Sequence, residues 1–169
     1  VIARTGEAPG AGGLSAFVVE AENPGLEITE RFRVVAPHPL GTVSFTDCHV
    51  PLENVIAGPG NGFKVAMATL DVFRTSVAAA ALGFARRALD EAVVRVQSRQ
   101  SFGKLLSEYQ LIQEKISDMA TDIDAAALLV YRSAWTKDTR KIRGTREVAI
   151  AKLHATEMAQ RTIDQAVQI

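Results

Sequence analysis

The spacing of hydrophobic positions in this chain changes near residue 58. Before that point, apolar residues come in short runs or alternate with polar ones. The run Ala16-Phe17-Val18-Val19-Glu20 lies between the turn-forming stretches Ala8-Pro9-Gly10-Ala11-Gly12-Gly13 and Asn23-Pro24-Gly25, and residues 26–35 are rich in alternating and β-branched positions. Val43 and Phe45 fall on one face and Thr42, Ser44 and Thr46 on the other, the period of a half-buried strand. Pro37 and Pro39 set a rigid turn around His38. Pro51 cannot donate to a ladder and is expected to end the strand.

The stretch Gly58-Pro59-Gly60-Asn61-Gly62 marks the switch, and beyond it the period is helical. Three helices are predicted, over about 61–97, 107–137 and 145–169. Asn61 suits the N-cap of the first, Ser107 with Gln110 forms an S-x-x-Q capping box for the second, and Gly144-Thr145 breaks and restarts the third. The second helix carries Ile112, Ile116, Met119, Ile123, Ala126, Val130 and Ala134 at alternating spacings of four and three, the stripe of a helix packed nearly parallel to its neighbours. The first helix is apolar over a wider arc, from Ala66 and Met67 through Val77 and Leu82 to Ala92. Such a helix is surrounded by partners, part of its covering coming from another subunit or from sequence outside this chain. The predicted fold class is α+β: the tail of a β-sheet domain over 1–57, then an up-down bundle over 58–169, of four-helix type with its last helix missing.

Charge narrows the function classes. Lys plus Arg and Asp plus Glu number 19 each, which argues against a nucleic-acid role and against a polybasic membrane anchor. No run is expected to reach the ~18–20 apolar residues of a membrane span. The lone Cys48 permits no internal disulfide, which fits a reducing compartment. The chain opens on Val1 with no signal-peptide layout and stops at Ile169 inside a helical pattern, so it reads as a piece cut at both ends.

Several motifs carry no chemistry. Gly58-Pro59-Gly60-Asn61-Gly62-Phe63-Lys64 fails as a phosphate loop, because Phe63 stands where the second glycine belongs. Cys48-His49 lacks the further ligands of a zinc site. His154 and Glu157 have the reversed order, in one copy, of a di-iron pair. Glu114, Asp118, Asp122 and Asp124 read as a solvated helix face. Asp71 and Arg74, at i and i+3 in an apolar helix, form either a local ion pair or the polar lining of a cavity or interface. The corner from Arg99 to Gln110 combines a fixed cation, a tight turn at Gly103 and a fresh helix start. That combination suits an anionic, phosphate-bearing ligand; its plain alternative is a solvated arginine at a helix–loop–helix corner.

Taken in order, these pieces resemble the acyl-CoA dehydrogenase family over the whole chain. The matching stretches are Val43 to Pro51 with Asn54 and Gly58, Leu70-Asp71-Val72-Phe73-Arg74 with Leu82-Gly83, and Arg99-Gln100-Ser101-Phe102-Gly103 with Gln110 and Met119-Ala120. They end with Ala149 to Lys152 and Ala166-Val167-Gln168-Ile169. The resemblance implies a flavoenzyme of three domains, assembled as a dimer or dimer of dimers, with FAD shared across subunits. By that match Arg99 and Ser101 meet the pyrophosphate region with Phe102 packed alongside, and Gln110 and Gln168 reach the adenosine and pyrophosphate end. Asp71 and Arg74 match positions lining the acyl-CoA pocket.

The implied reaction is α,β-dehydrogenation of an acyl-CoA thioester. A carboxylate takes the α-proton, and the β-hydrogen leaves as hydride to flavin N5. Electrons then pass to an electron-transfer flavoprotein, in the cytoplasm or, in a eukaryote, the mitochondrial matrix. The resemblance implies a base from a segment beyond Ile169 or from the position held here by Phe73, which cannot accept a proton; no metal is implied. The isolated piece is therefore expected to be inactive. Two alternatives stand beside this reading: a non-catalytic helical assembly module, and a flavin-dependent oxidase or monooxygenase of the same fold.

Overall fold

A computed structural model describes residues 1–6, 8–36, 38–140 and 144–169. Pro37 of the predicted turn lies outside the described residues. The strands are β1 (Ile2–Arg4), β2 (Leu14–Phe17), β3 (Leu26–Phe32), β4 (Leu40–Phe45) and β5 (Val55–Ile56). They are followed by α1 (Gly62–Ser98), the short strands β6 (Gln100–Ser101) and β7 (Lys104–Leu105), α2 (Gln110–Arg140) and α3 (Thr145–Gln168). Strands followed by a helical bundle make this an α+β fold. The chain divides into two compact units, Val1–Ala68 and Thr69–Ile169, and the division falls inside α1.

In the first unit β2 is the centre of an antiparallel sheet ordered β1-β2-β5, with Ala16 opposite Ile2 on one side and Ile56 on the other. Being central buries Ser15 and Ala16. The Ser15 hydroxyl accepts the Gly60 N–H at 2.9 Å and shares a hydrogen bond of 2.5 Å with Thr5 Oγ1. The first turn of α1 packs so closely here that a Cβ on Gly62 would stand 2.6 Å from the Ser15 carbonyl carbon. That backbone approach is why the start of α1 belongs to the strand-bearing unit.

β3 and β4 pair as a separate antiparallel ribbon with a register shift between Ile28 and Glu30. The expected half-burial of β4 is corrected: Val43 and Phe45 are 47% and 44% exposed, and Ser44 is the half-buried position. Alternation sorts residues to two faces, but burial needs a second layer, and this ribbon's apolar face is largely uncovered among the described residues. Pro51 does not end β4 either. The strand stops at Phe45, the chain turns at Asp47 (φ +47°), and Pro51 precedes a 3₁₀ turn over Leu52–Asn54.

In the second unit, the predicted stripe of α2 supplies Met119, Ile123, Ala126 and Val130 to the core. Of these, Ile123, Ala126 and Val130 meet Ala78, Leu82 and Ala85 of α1 and Ala151, Ala155, Met158 and Ala159 of α3. Alanines at the contact let the helix backbones approach closely. The wide apolar arc of α1 is buried along one stripe, leaving Phe73 60%, Phe84 66% and Val94 62% exposed.

Two caps differ from expectation. The Asn61 carbonyl accepts the Val65 N–H at 3.1 Å, so Asn61 holds the cap position. Its side-chain amide instead donates to the carbonyls of Ala57 and Pro59, bracing the glycine turn. The Ser107–Gln110 box does not form, because an extra 3₁₀ turn, Leu106–Glu108, precedes α2 and places Gln110 inside it as its first residue. Glu108 takes the reciprocal role and accepts the Leu105 N–H at 2.7 Å. The expectation that no run approaches a membrane span is also corrected. α1 holds an 18-residue window of mean hydropathy 1.4 and is, by length and composition, long and apolar enough to cross one. Alanine raises mean hydropathy without bulk, and here it serves helix packing.

Candidate functional site: a braced basic hairpin at one end of the bundle

α1 runs directly into Arg99, whose N–H still bonds the Arg95 carbonyl at 2.9 Å. The chain then reverses: Gln100 pairs with Leu105 and Ser101 with Lys104, and the Leu106 N–H closes the loop on the Arg99 carbonyl at 2.9 Å. The turn residues Phe102 and Gly103 both have positive φ, +50° and +82°. This matches the type I′ geometry of two-residue hairpins, which favours Asn, Asp or Gly at both positions. A phenylalanine there is strained, and it projects into solvent with 98% of its surface exposed.

Three groups that sequence reasoning missed hold this hairpin against the start of α2. The Tyr109 phenol donates to the Ser101 carbonyl at 2.6 Å, the Lys104 ammonium lies 4.1 Å from the Tyr109 ring centroid, and Glu108 accepts from Leu105. Only Glu108 had a legible signal, its position three residues after Leu105. Contacts to a carbonyl or a ring leave no spacing pattern.

The structure brings Arg99, Ser101, Phe102 and Gln110 together on the hairpin and the adjoining helix start. Arg99, Phe102 and Gln110 are exposed and Ser101 is half-buried. Gln168, also exposed, is the last residue of α3. The last turn of α3 lies beside the end of α1: an open groove of about 590 Å³ is lined by Arg95 and Ser98 on one side and Ala166, Val167 and Ile169 on the other. Gln168 and the hairpin therefore share one end of the bundle. Guanidinium, hydroxyl and amide donors with an exposed aromatic ring form a donor set that fits the diphosphate and ring systems of a dinucleotide such as FAD.

Asp71 and Arg74 lie elsewhere on α1 and are both half-buried. The Asp71 carboxylate accepts from the Thr145 hydroxyl at 3.1 Å, which ties α1 to the first turn of α3. Phe73 is exposed beside them. Of the expected solvated acids, Asp122 stands 3.7 Å from Arg161 in an ion pair, so that face of α2 is partly engaged by α3. His154 Nε2 is buried with no partner among the described residues, and those residues contain no metal-ligating cluster.

By fold, this is an α+β chain ending in a helical bundle whose helices are interrupted by a cation-bearing hairpin. The family model for the acyl-CoA dehydrogenase C-terminal domain matches residues 60–169. The chain is 42% identical over 159 residues to the mitochondrial short-chain specific acyl-CoA dehydrogenase of Rattus norvegicus, covering 93% of this chain and 38% of that protein. The structure of butyryl-CoA dehydrogenase from Megasphaera elsdenii aligns with a TM-score of 0.91 at 40% identity, over 99% of this chain and 44% of that one. A chain described with the electron transferring flavoprotein of Acidaminococcus fermentans aligns with a TM-score of 0.92 at 40% identity and the same coverage, 99% and 44%. The chain belongs to the acyl-CoA dehydrogenase family. It spans about two-fifths of the length of these relatives, 38% to 44%.

Proposed function

We propose that this chain is the tail of the β domain and most of the helical bundle of an FAD-dependent acyl-CoA dehydrogenase acting on short acyl-CoA thioesters. The observation that carries the reading is the Arg99–Gln110 corner: a strained turn that exposes an aromatic ring beside the exposed side chain of Arg99. In this reading residues 1–57 are the tail of a β domain and 58–169 a bundle completed by a fourth helix. Arg99 and Ser101 hold the diphosphate of FAD, Phe102 packs beside it, and Gln110 and Gln168 bind toward the adenosine end. Asp71 and Arg74 line the acyl-CoA pocket. Bound FAD supplies the hydride acceptor for the β-hydrogen of the substrate. Phe73 stands at the one base position that the family resemblance marks within this chain and offers no proton acceptor, which supports a base from the segment beyond Ile169 that the same resemblance implies.

The enzyme is a dimer or dimer of dimers with FAD shared between protomers, which suits the uncovered apolar side chains of α1. α1 acts as a bundle helix, and its buried stripe supports that role over a membrane span. Electrons leave to an electron-transfer flavoprotein, and the enzyme works in the cytoplasm or mitochondrial matrix. Short-chain specificity draws support from the names of the rat and Megasphaera relatives.

The test is an anaerobic titration of the full-length, FAD-loaded enzyme with butyryl-CoA. The flavin's visible absorption bleaches, whereas the isolated chain reduces no artificial dye with any acyl-CoA. An unbleached flavin with every acyl-CoA tried, or turnover by the isolated chain, overturns the proposal.

A further inference from the structure

We infer that Tyr109 is a positioning residue for cofactor binding: it sets the direction in which the hairpin presents Arg99, Ser101 and Phe102. The inference deepens the proposed function and rests on the reading of the hairpin as an FAD-binding element. A two-residue turn with an aromatic side chain at positive φ persists only where its surroundings determine it. Two backbone ties close the loop, the short β6–β7 ladder and the Leu106-to-Arg99 hydrogen bond. Neither fixes how the loop leans relative to α2.

Beside the Glu108 tie to the Leu105 N–H, Tyr109 does so from both ends. Its backbone belongs to the helix start: its N–H bonds the Leu106 carbonyl at 3.1 Å, and its carbonyl accepts the N–H groups of Ile112 and Gln113, each at 3.0 Å. Its phenol reaches back to the Ser101 carbonyl at 2.6 Å, directly before the turn residue Phe102. The Lys104 ammonium, on the opposite strand of the hairpin, lies over the same ring at 4.1 Å. One side chain therefore grips both strands and anchors them to α2. Ser101 is left with its hydroxyl for a ligand, because the brace uses only its carbonyl. A ligand spanning the hairpin and Gln110 meets donors whose separation Tyr109 has already fixed, which lowers the ordering cost of binding.

The test uses the full-length apo-enzyme titrated with FAD. Tyr109→Phe removes the hydroxyl and keeps the ring under Lys104. It is expected to raise the FAD dissociation constant about three- to tenfold, the loss of one hydrogen bond. Backbone amides of the hairpin, Leu106 among them, should exchange faster. The melting midpoint of the apo-enzyme should stay within about 2 °C of wild type. Tyr109→Leu, which also removes the ring, is expected to weaken FAD binding further. Unchanged FAD affinity in Tyr109→Phe overturns the inference, as does a loss matched by a general fall in melting midpoint. Arg99→Ala is the control. If it weakens FAD binding while Tyr109→Phe does not, only the positioning role fails; if it too leaves affinity unchanged, the hairpin does not bind FAD and both readings fail.

Discussion

Phe102 pays for its position twice, with a left-handed backbone and with a ring left almost wholly in water. Left-handed strain in a residue other than glycine or asparagine costs about 1–3 kcal/mol. Replacing Phe102 with Asn, the preferred residue for this turn, should therefore stabilise the apo-protein by about 1 kcal/mol. FAD affinity should fall, since the ring is lost. Thermal melting and FAD titration of the same variant check both parts, and a lowered melting midpoint would show that the ring serves the fold. At this scale the sequence was legible where chemistry is intrinsic to a side chain. Arg99 is a fixed cation wherever it stands, and Gly103 announces a turn. Tyr109 was not legible, because its role comes from a carbonyl eight residues away that only the folded hairpin brings near.

Elements were legible in proportion to their length. The α2 stripe with its spacings of four and three matches the buried residues Met119, Ile123, Ala126 and Val130, because a long period averages out local exceptions. β1 and β5 are only three and two residues long and left no pattern to read. Caps depended on single hydrogen bonds, and an inserted 3₁₀ turn was enough to exchange Ser107 for Glu108. The alanine-rich contact among the helices gives a sharp test of packing. Ala155 of α3 is fully buried beside α1 and α2. Ala155→Leu should force the helices apart and destabilise the bundle by about 1–3 kcal/mol, whereas a leucine at exposed Ala79 should change little. Chemical denaturation of both variants separates the outcomes; equal stability would mean that the helices are not closely packed at Ala155.

For the whole molecule, uncovered apolar side chains carry the argument. In the helical unit, Phe73, Phe84 and Val94 of α1, Leu128 and Trp135 of α2 and Leu153 of α3 are all large apolar residues left exposed. Such exposure suits a part of a larger assembly, in which other protein covers these faces. It also suits a cofactor held where two protomers meet, with the basic hairpin reaching outward from the end of one bundle. The most direct measurement of that account is the FAD dissociation constant of the full-length apo-enzyme, wild type against Arg99→Ala. Loss of a charged hydrogen bond to phosphate predicts affinity about ten- to a hundredfold weaker. Equal affinity in the two proteins would contradict the account.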